Sequence, residues 1–167
     1  KWIRGNVDTR LNKLKTEGFD AIILAAAGLK RLGWSDDVVT EYLDTDICLP
    51  AVAQGSLGIE CRADDKELLE QLAKLTDKTT WNTAHAERSF LAAMDGGCQV
   101  PIAGYAVANG DTLTLTGLVA APDASVTYKE TLSGTNADEL GKAVAAKLTE
   151  QGAFDLIQKV KAELDAE

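Results

Sequence analysis

Apolar residues near the start of the chain recur at the spacing of a helix. Val7, Leu11 and Leu14 fall at positions i, i+4 and i+7, which puts their side chains on one face of a helix. Asn6 or Asp8 can cap the first turn, because a short polar side chain there accepts from a free backbone N–H. The pattern therefore predicts an amphipathic helix at this end of the chain.

The next stretch predicts a strand followed by a second helix. Residues 19–25 form a nearly continuous apolar run, which is typical of a strand buried on both faces of a parallel sheet. Residues 27–32 have the pattern of a short helix, and Gly33 can end it. With residues 1–5 counted as a strand, the order is strand, helix, strand, helix. This order predicts a βαβ unit, in which ligands bind where strands end.

The remaining pattern predicts a small α+β domain at the C-terminal end. Asn109-Gly110 is a strong signal for a hairpin between the first two of three antiparallel strands. A strand at 57–61 and an amphipathic helix at 64–75 come before this domain. Its own predicted elements are a helix at 81–94, strands at 101–108, 112–121 and 125–132, and helices at 136–151 and 154–164.

Composition narrows the class of protein. The chain has 167 residues, 46% of them hydrophobic, and a formal net charge of −9. This charge argues against a general nucleic-acid-binding protein, and the longest apolar run is too short for a membrane span. The three cysteines have no C-x-x-C spacing, which favours reduced thiols and a cytoplasmic location.

The charge is unevenly distributed along the chain. Residues 1–31 contain seven basic and three acidic residues, a net +4, whereas the rest carries −13. Arg4 and Arg10 flank the start of the first predicted helix, whose free N–H groups also favour an anion. The pattern indicates a site for a small anion, although chance clustering on a solvated helix face explains the charges equally well.

Among the nucleophilic residues, Cys98 has the most suggestive surroundings. It follows Gly96-Gly97 at the end of a predicted helix, where glycines leave the sulfur uncrowded, although a cysteine that merely packs there is an equal alternative. Cys48 and Cys61 are predicted to be small buried hydrophobic residues. His85 is the one histidine and is more typical of a partly exposed helical residue than of a catalytic partner. The Cys and His spacings match no metal site.

Four motifs in the same order resemble the porphobilinogen deaminases, which are also called hydroxymethylbilane synthases. Each motif alone is weakly specific, but together they cover essentially the whole chain. They are RGNVDTRL at 4–11, AIILA at 21–25 followed by AGLKRLG at 27–33, LPAVAQG at 49–55, and GGCQVP at 96–101.

The resemblance implies a transferase of haem biosynthesis. It implies the condensation of four porphobilinogens into linear hydroxymethylbilane with release of ammonia, on a dipyrromethane cofactor that a thioether joins to Cys98. It implies no metal site. The positions that match family residues around the cofactor are Arg4, Arg10, Ala25, Gln54 and Gly55, and those that match substrate-binding residues are Arg10, Gly28 and Arg31.

Two departures from the family pattern bear on this chain. Ala53 stands where many members have glycine, a change that should be tolerated. The family's first domain, with its catalytic aspartate, has no counterpart here. The resemblance then divides the chain into part of a second, βαβ domain (1–55), a return segment to the first domain (56–76), and a C-terminal domain (77–167). It implies a two-lobed fold like that of solute-binding proteins, a monomer when complete, and no turnover by this polypeptide without its N-terminal portion.

Two other interpretations of the residues compete with this one. A non-catalytic anion-binding module of the solute-binding type would use the same arginines but would give Cys98 no role. A cysteine hydrolase would pair Cys98 with His85 but would leave the arginines unexplained.

Overall fold

The computed structural model describes residues 2–34, 38–95 and 100–165. Its contacts divide the chain into two compact units, Lys1–Leu43 and Asp44–Glu167. Within the described part of either unit, no helix has the length and apolar character that crossing a membrane requires. The secondary structure is predominantly helical, with one sheet in the second unit.

The first unit contains the helices predicted near residues 7–14 and 27–32. Helix α1 is Val7–Thr16, and Asn6 caps it by accepting from the Thr9 N–H at 2.9 Å. Helix α2 is Ala26–Arg31. Each is followed by a glycine with positive φ, which lets the chain turn away from the helix. Local capping signals therefore predicted these two elements correctly.

The strand predicted at 19–25 is wrong. Its backbone is irregular, and the Ile23 side chain is 73% exposed. A strand is stabilised by its hydrogen-bonded neighbours, and the described part of this unit, residues 2–34 and 38–43, contains no strand for it to pair with. Residues 2–4, also expected to be a strand, are irregular for the same reason. The βαβ pattern is therefore absent from the described residues.

The second unit begins with a long irregular stretch and then forms helix α3, Lys66–Ala73. Asp65 caps α3 by accepting from the Leu68 N–H at 3.2 Å. The strand predicted at 57–61 does not form, and Leu57 and Ile59 are 78% and 62% exposed. The alternating pattern is present in the sequence, but the described residues provide no partner strand beside it.

The rest of the second unit is an α+β domain, as predicted. Its sheet has the order β1-β2-β3, with both pairs antiparallel. Ala106 of the first strand lies opposite Leu115, which lies opposite Leu132. The elements are helix α4 (Lys78–Ala93), β1 (Ile102–Asn109), β2 (Thr112–Ala120), β3 (Thr127–Gly134), α5 (Ala137–Gln151) and α6 (Ala153–Asp165).

The core of this domain lies between the helices and one face of the sheet. Strand β2 alternates strictly and buries Leu113, Leu115 and Val119 on that face. Phe90 of α4 and Val144 of α5 have no exposed surface and pack against it. The α+β domain thus has one continuous apolar core.

The two longest helices cross at very short range. A Cβ placed on Gly141 of α5 would lie 2.5 Å from the carbonyl oxygen of Ala86 and 2.6 Å from the amide nitrogen of Phe90, both backbone atoms of α4. Real Cβ atoms do not approach backbone this closely, so only glycine permits the crossing.

We expect Gly141→Ala to destabilise the domain strongly. The added methyl must push two helix backbones apart, and we expect it to lower the free energy of unfolding by about 3 kcal/mol or more. Gly134→Ala is the matched control, because its Cβ would meet nothing closer than Leu140 Cδ1 at 3.7 Å. Urea unfolding of both variants measures the effect. Equal midpoints for the two variants would contradict the close crossing.

Candidate functional site

Arg10 folds back over the start of α1. Its Nε donates to the carbonyl oxygen of Gly5 at 2.8 Å, while Asn6 Oδ1 accepts from both the N–H and the hydroxyl of Thr9. Gly5 has a φ of 125°, and a Cβ there would lie 2.7 Å from Thr9 Cγ2, so this entry to the helix requires glycine. The remaining guanidinium donors of Arg10 are therefore held at the N-terminal turn of α1.

Arg4 and Arg31 are exposed side chains of the same unit. No carboxylate among the described residues forms an ion pair with either of them or with Arg10, although other lysines and arginines are paired. Cations that carry no internal anionic partner are available to an anionic ligand. The anion site at these arginines stays a prediction.

Two other predicted residues, Ala25 and Gly28, lie at the start of the short helix that ends at Arg31. Ala25 is the N-cap of α2, and its carbonyl oxygen accepts from the Gly28 N–H at 3.0 Å. Arg31 is the last residue of the same helix. Ala25 and Gly28 thus lie at the start of α2 and Arg31 at its end.

Gln54 and Gly55 lie in a tight loop of residues 50–56 in the second unit, which we call the clamp loop. Within it the Gln54 N–H donates to the Ala51 carbonyl and the Ser56 N–H to the Ala53 carbonyl, both at 3.0 Å. Ala53 has a φ of 55°, a left-handed conformation that costs a residue with a Cβ about 1 kcal/mol. Alanine at this position therefore stores strain that glycine would not.

Glu87 of α4 is the residue that holds this loop. It is 6% exposed, its Oε2 accepts from the Ala53 N–H at 2.6 Å, and its Oε1 accepts from the Ala106 N–H of β1 at 2.8 Å. We call this arrangement the Glu87 clamp. Burial raises the pKa of the Glu87 carboxyl, and the two N–H donors partly oppose that rise.

The Glu87 clamp was missed by the sequence analysis, although the sequence contains a signal for it. Glu87 lies three residues before Phe90 and seven before Met94, so it falls on the core face of α4. A charged residue on an apolar face is rarely buried without partners. The partners could not be anticipated, because both are backbone amides of other segments.

A polar cleft of about 300 Å³ opens beside the clamp. It lies entirely within the second unit, between the clamp loop, α4 and β1. Its polar lining side chains are Gln54, Ser56, Thr80, Thr83, Glu87 and Tyr105. The predicted cofactor residues Gln54 and Gly55 therefore border a solvent-accessible space rather than the packed core.

Cys98 lies outside the described residues, together with Gly96, Gly97 and Gln99. On the preceding side, Lys161 Nζ donates to Asp95 Oδ2 at 2.7 Å and to the Asp95 carbonyl oxygen. The hydrogen bond from Lys161 and its positive charge lower the pKa of Asp95. On the following side Val100 is buried. Both described neighbours of the cysteine segment are thus anchored to the domain.

The other chemically reactive residues are not assembled into a site. Cys48 is exposed and Cys61 is half-buried, so the prediction that both are buried is wrong for Cys48 and only partly correct for Cys61. Both residues lie in irregular stretches of the second unit. His85 is exposed on α4 as expected, and its ring stacks parallel to that of Trp81 at 6.4 Å. Within the described ranges, no group of metal-ligating side chains comes together.

Comparisons with family models and with curated proteins identify the same family. Residues 1–70 match the family model described as porphobilinogen deaminase, dipyromethane cofactor binding domain, and residues 81–150 match its C-terminal domain. Proteins named porphobilinogen deaminase are 76% identical in Lysinibacillus sphaericus, 60% in Bacillus subtilis and 57% in Staphylococcus aureus. These alignments cover 99%, 99% and 96% of this chain, but 54%, 53% and 52% of the relatives. The chain spans about half their length.

The raised pKa of Glu87 predicts a pH dependence with a definite sign. Because the folded protein retains this proton more readily than the unfolded chain, the stability linked to it is fully present below the ordinary value of 4.5 and is lost as pH rises through the folded pKa. Glu87→Gln lacks this titration. We expect the difference in unfolding free energy, original protein minus Glu87→Gln, to grow as pH falls from about 7 to about 5.

Urea unfolding of both proteins at each pH measures this difference. Taking the difference cancels the pH dependence of all ionisable groups that the two proteins share. A difference that stays constant, or that shrinks as the solution is acidified, would contradict the buried carboxyl.

Proposed function

Since the chain belongs to the porphobilinogen deaminase family, we propose that it is the C-terminal portion of an enzyme that condenses porphobilinogen into linear hydroxymethylbilane. The observation that carries the proposal is the match of the two family models to residues 1–70 and 81–150. The cationic segment of residues 1–31 supports it, because each porphobilinogen carries an acetate and a propionate group. The alternative of a non-catalytic anion-binding module is not favoured, since both matching models belong to this one family.

The dipyrromethane cofactor, when bound, supplies the primer on which four porphobilinogens are condensed. The donors of this chain fit such a group: Arg4, Arg10 and Arg31 lack ion pairs among the described residues, and Gln54 is exposed. Guanidinium groups bind carboxylates through paired charge-assisted hydrogen bonds. We therefore assign the cofactor carboxylates to Arg4 and Arg10, and we assign Ala25, Gln54 and Gly55 to cofactor binding because the family resemblance implies it.

Substrate binding is assigned to a neighbouring set of residues. Arg10 and Arg31 hold the carboxylates of incoming porphobilinogen, and Gly28 keeps the first turn of α2 free of a side chain, with open space where a Cβ would be. These groups bind and orient the substrate. The proton-handling aspartate belongs to the N-terminal portion of the protein.

Cys98 is assigned the covalent attachment. In forming the thioether, the C–N bond of an aminomethyl group on the pyrrole would break, and the nitrogen would leave as ammonia with the proton given up by the Cys98 thiol. The thiolate of Cys98 supplies the electron pair for the new C–S bond. A thioether is not hydrolysed as a thioester is, so the attachment persists through many turnovers.

The chain is further proposed to divide at 55 and 76 into the three parts that the family resemblance implies. Leu57 and Ile59 in the segment 56–76 are largely exposed, which suits a strand that pairs with the first domain. In the first unit, an open apolar depression of about 530 Å³ is lined by Trp2, Phe19 and Ile23, among others. Both surfaces suit contact with the N-terminal portion, completing a two-lobed, monomeric cytoplasmic enzyme.

We expect the protein expressed from its full gene to carry a dipyrromethane adduct on Cys98. Intact-mass measurement and peptide mapping detect it, and Cys98→Ser should lose both the adduct and the formation of hydroxymethylbilane. Cys48→Ser is the matched control, because that exposed thiol has no role in the proposal. An unmodified Cys98 in active protein would refute the attachment, and loss of activity in His85→Ala with no adduct would favour the hydrolase.

Arg10→Leu should weaken porphobilinogen binding. Removing a charge-assisted contact to a carboxylate should raise KM by about tenfold or more. Lys15→Leu removes an exposed cation from the same helix and should leave KM within about twofold. Steady-state kinetics of the full-length protein measure KM for both variants. An equal rise of KM in both would show that only the overall positive charge of the helix matters, not a specific contact made by Arg10.

A further inference from the structure

We propose that Glu87 is a positioning residue whose buried carboxylate holds the clamp loop, and with it Gln54 and Gly55, in the conformation that the cofactor requires. The inference rests on the proposed function for the role of Gln54 and Gly55. The Glu87 clamp itself is observed in the structure and does not depend on the proposed function.

The clamp joins three separate segments of the chain. One carboxylate oxygen accepts from Ala53 in the loop and the other from Ala106 in β1, at 2.6 and 2.8 Å. At the other end of the loop, the Pro50 carbonyl accepts from the Gly104 N–H at 3.1 Å. The clamp loop is therefore attached at two points to the same strand, directly at Pro50 and through Glu87 at Ala53.

The burial of Glu87 makes the loss of either hydrogen bond costly. The carboxylate is 6% exposed, and among the described residues no cation forms an ion pair with it. Its two amide donors are therefore its main compensation for lost hydration. Releasing the loop would leave a buried oxygen without its donor, so the loop and the helix are energetically coupled.

The loop conformation is one that Ala53 does not prefer. In this positive-φ conformation the Ala53 N–H donates to the Glu87 carboxylate. Gln54 is the next residue in the chain. Because Gln54 and Gly55 are exposed, packing does not orient them, and the backbone geometry of the loop does. The clamp thus compensates a strained residue immediately before the proposed cofactor residues.

Glu87→Gln in the full-length protein tests the proposal. The amide keeps the shape of the side chain but turns one acceptor into a donor that faces an N–H. We expect hydrogen exchange of the amides in residues 51–56 to accelerate by about tenfold or more, and kcat to fall by a similar factor. Cys98 should still carry the adduct by intact mass.

Ser89→Ala is the matched control. Ser89 lies two residues along α4, and its hydroxyl donates to Asp138 Oδ1 of α5 at 3.0 Å, so it ties the helix to the core rather than to the loop. We expect a lower Tm with unchanged exchange at 51–56 and unchanged kcat. If Ser89→Ala matches Glu87→Gln in both readouts, Glu87 is merely structural and the proposal is overturned.

Ala53→Gly supplies a second variant that keeps the test decisive if Glu87→Gln folds poorly. Glycine adopts the left-handed conformation without strain, so Ala53→Gly combined with Glu87→Gln should recover part of the lost kcat and of the exchange protection. A combined variant that recovers only Tm overturns the proposal. If the unsubstituted full-length protein carried no adduct and formed no hydroxymethylbilane, the proposed function would be refuted. The hydrogen-exchange measurement would still show whether Glu87 holds the clamp loop.

Discussion

The close crossing of α4 and α5 at Gly141 is the constraint on which the C-terminal domain depends. With a glycine there, the backbone of α5 approaches Ala86 and Phe90 directly, and α4 is pressed onto the sheet. That placement brings Glu87, the residue after Ala86, within hydrogen-bond distance of β1 and of the clamp loop. A packing requirement in the core thereby determines where the loop of Gln54 lies.

The proposed binding groups are held by backbone geometry rather than by side-chain packing. Arg10 is tied to the turn before its helix, Ala25 to the first turn of α2, and Gln54 to a clamped loop. A ligand rich in carboxylates needs donors that remain hydrated and unpaired until it binds, so these side chains cannot be buried. Rigid attachment of the backbone is then the means of orienting them in advance.

Short-range signals predicted short-range structure well. Asn6 caps α1 as predicted, the hairpin turn lies at Gly110-Asp111 beside the predicted Asn109-Gly110, and each helix named in the sequence analysis has an observed counterpart. The predictions of strands at 19–25 and 57–61 were wrong. Apolar patterning shows that a segment is able to pair in a sheet, but it does not show that a partner strand is present. The prediction that Cys48 is buried was wrong for a related reason, because burial depends on which other segments pack against a residue.

By itself, the sequence determined the family, the local elements and the cationic segment with its arginines, because motifs, caps and charges act over a few residues. The Gly141 crossing, the left-handed Ala53 and the Glu87 clamp were decided only by the tertiary structure. Each depends on backbone atoms brought together from segments separated by 19 to 55 residues. Backbone amides carry no sequence signature, so a carboxylate that binds them can be located only once the chain has folded.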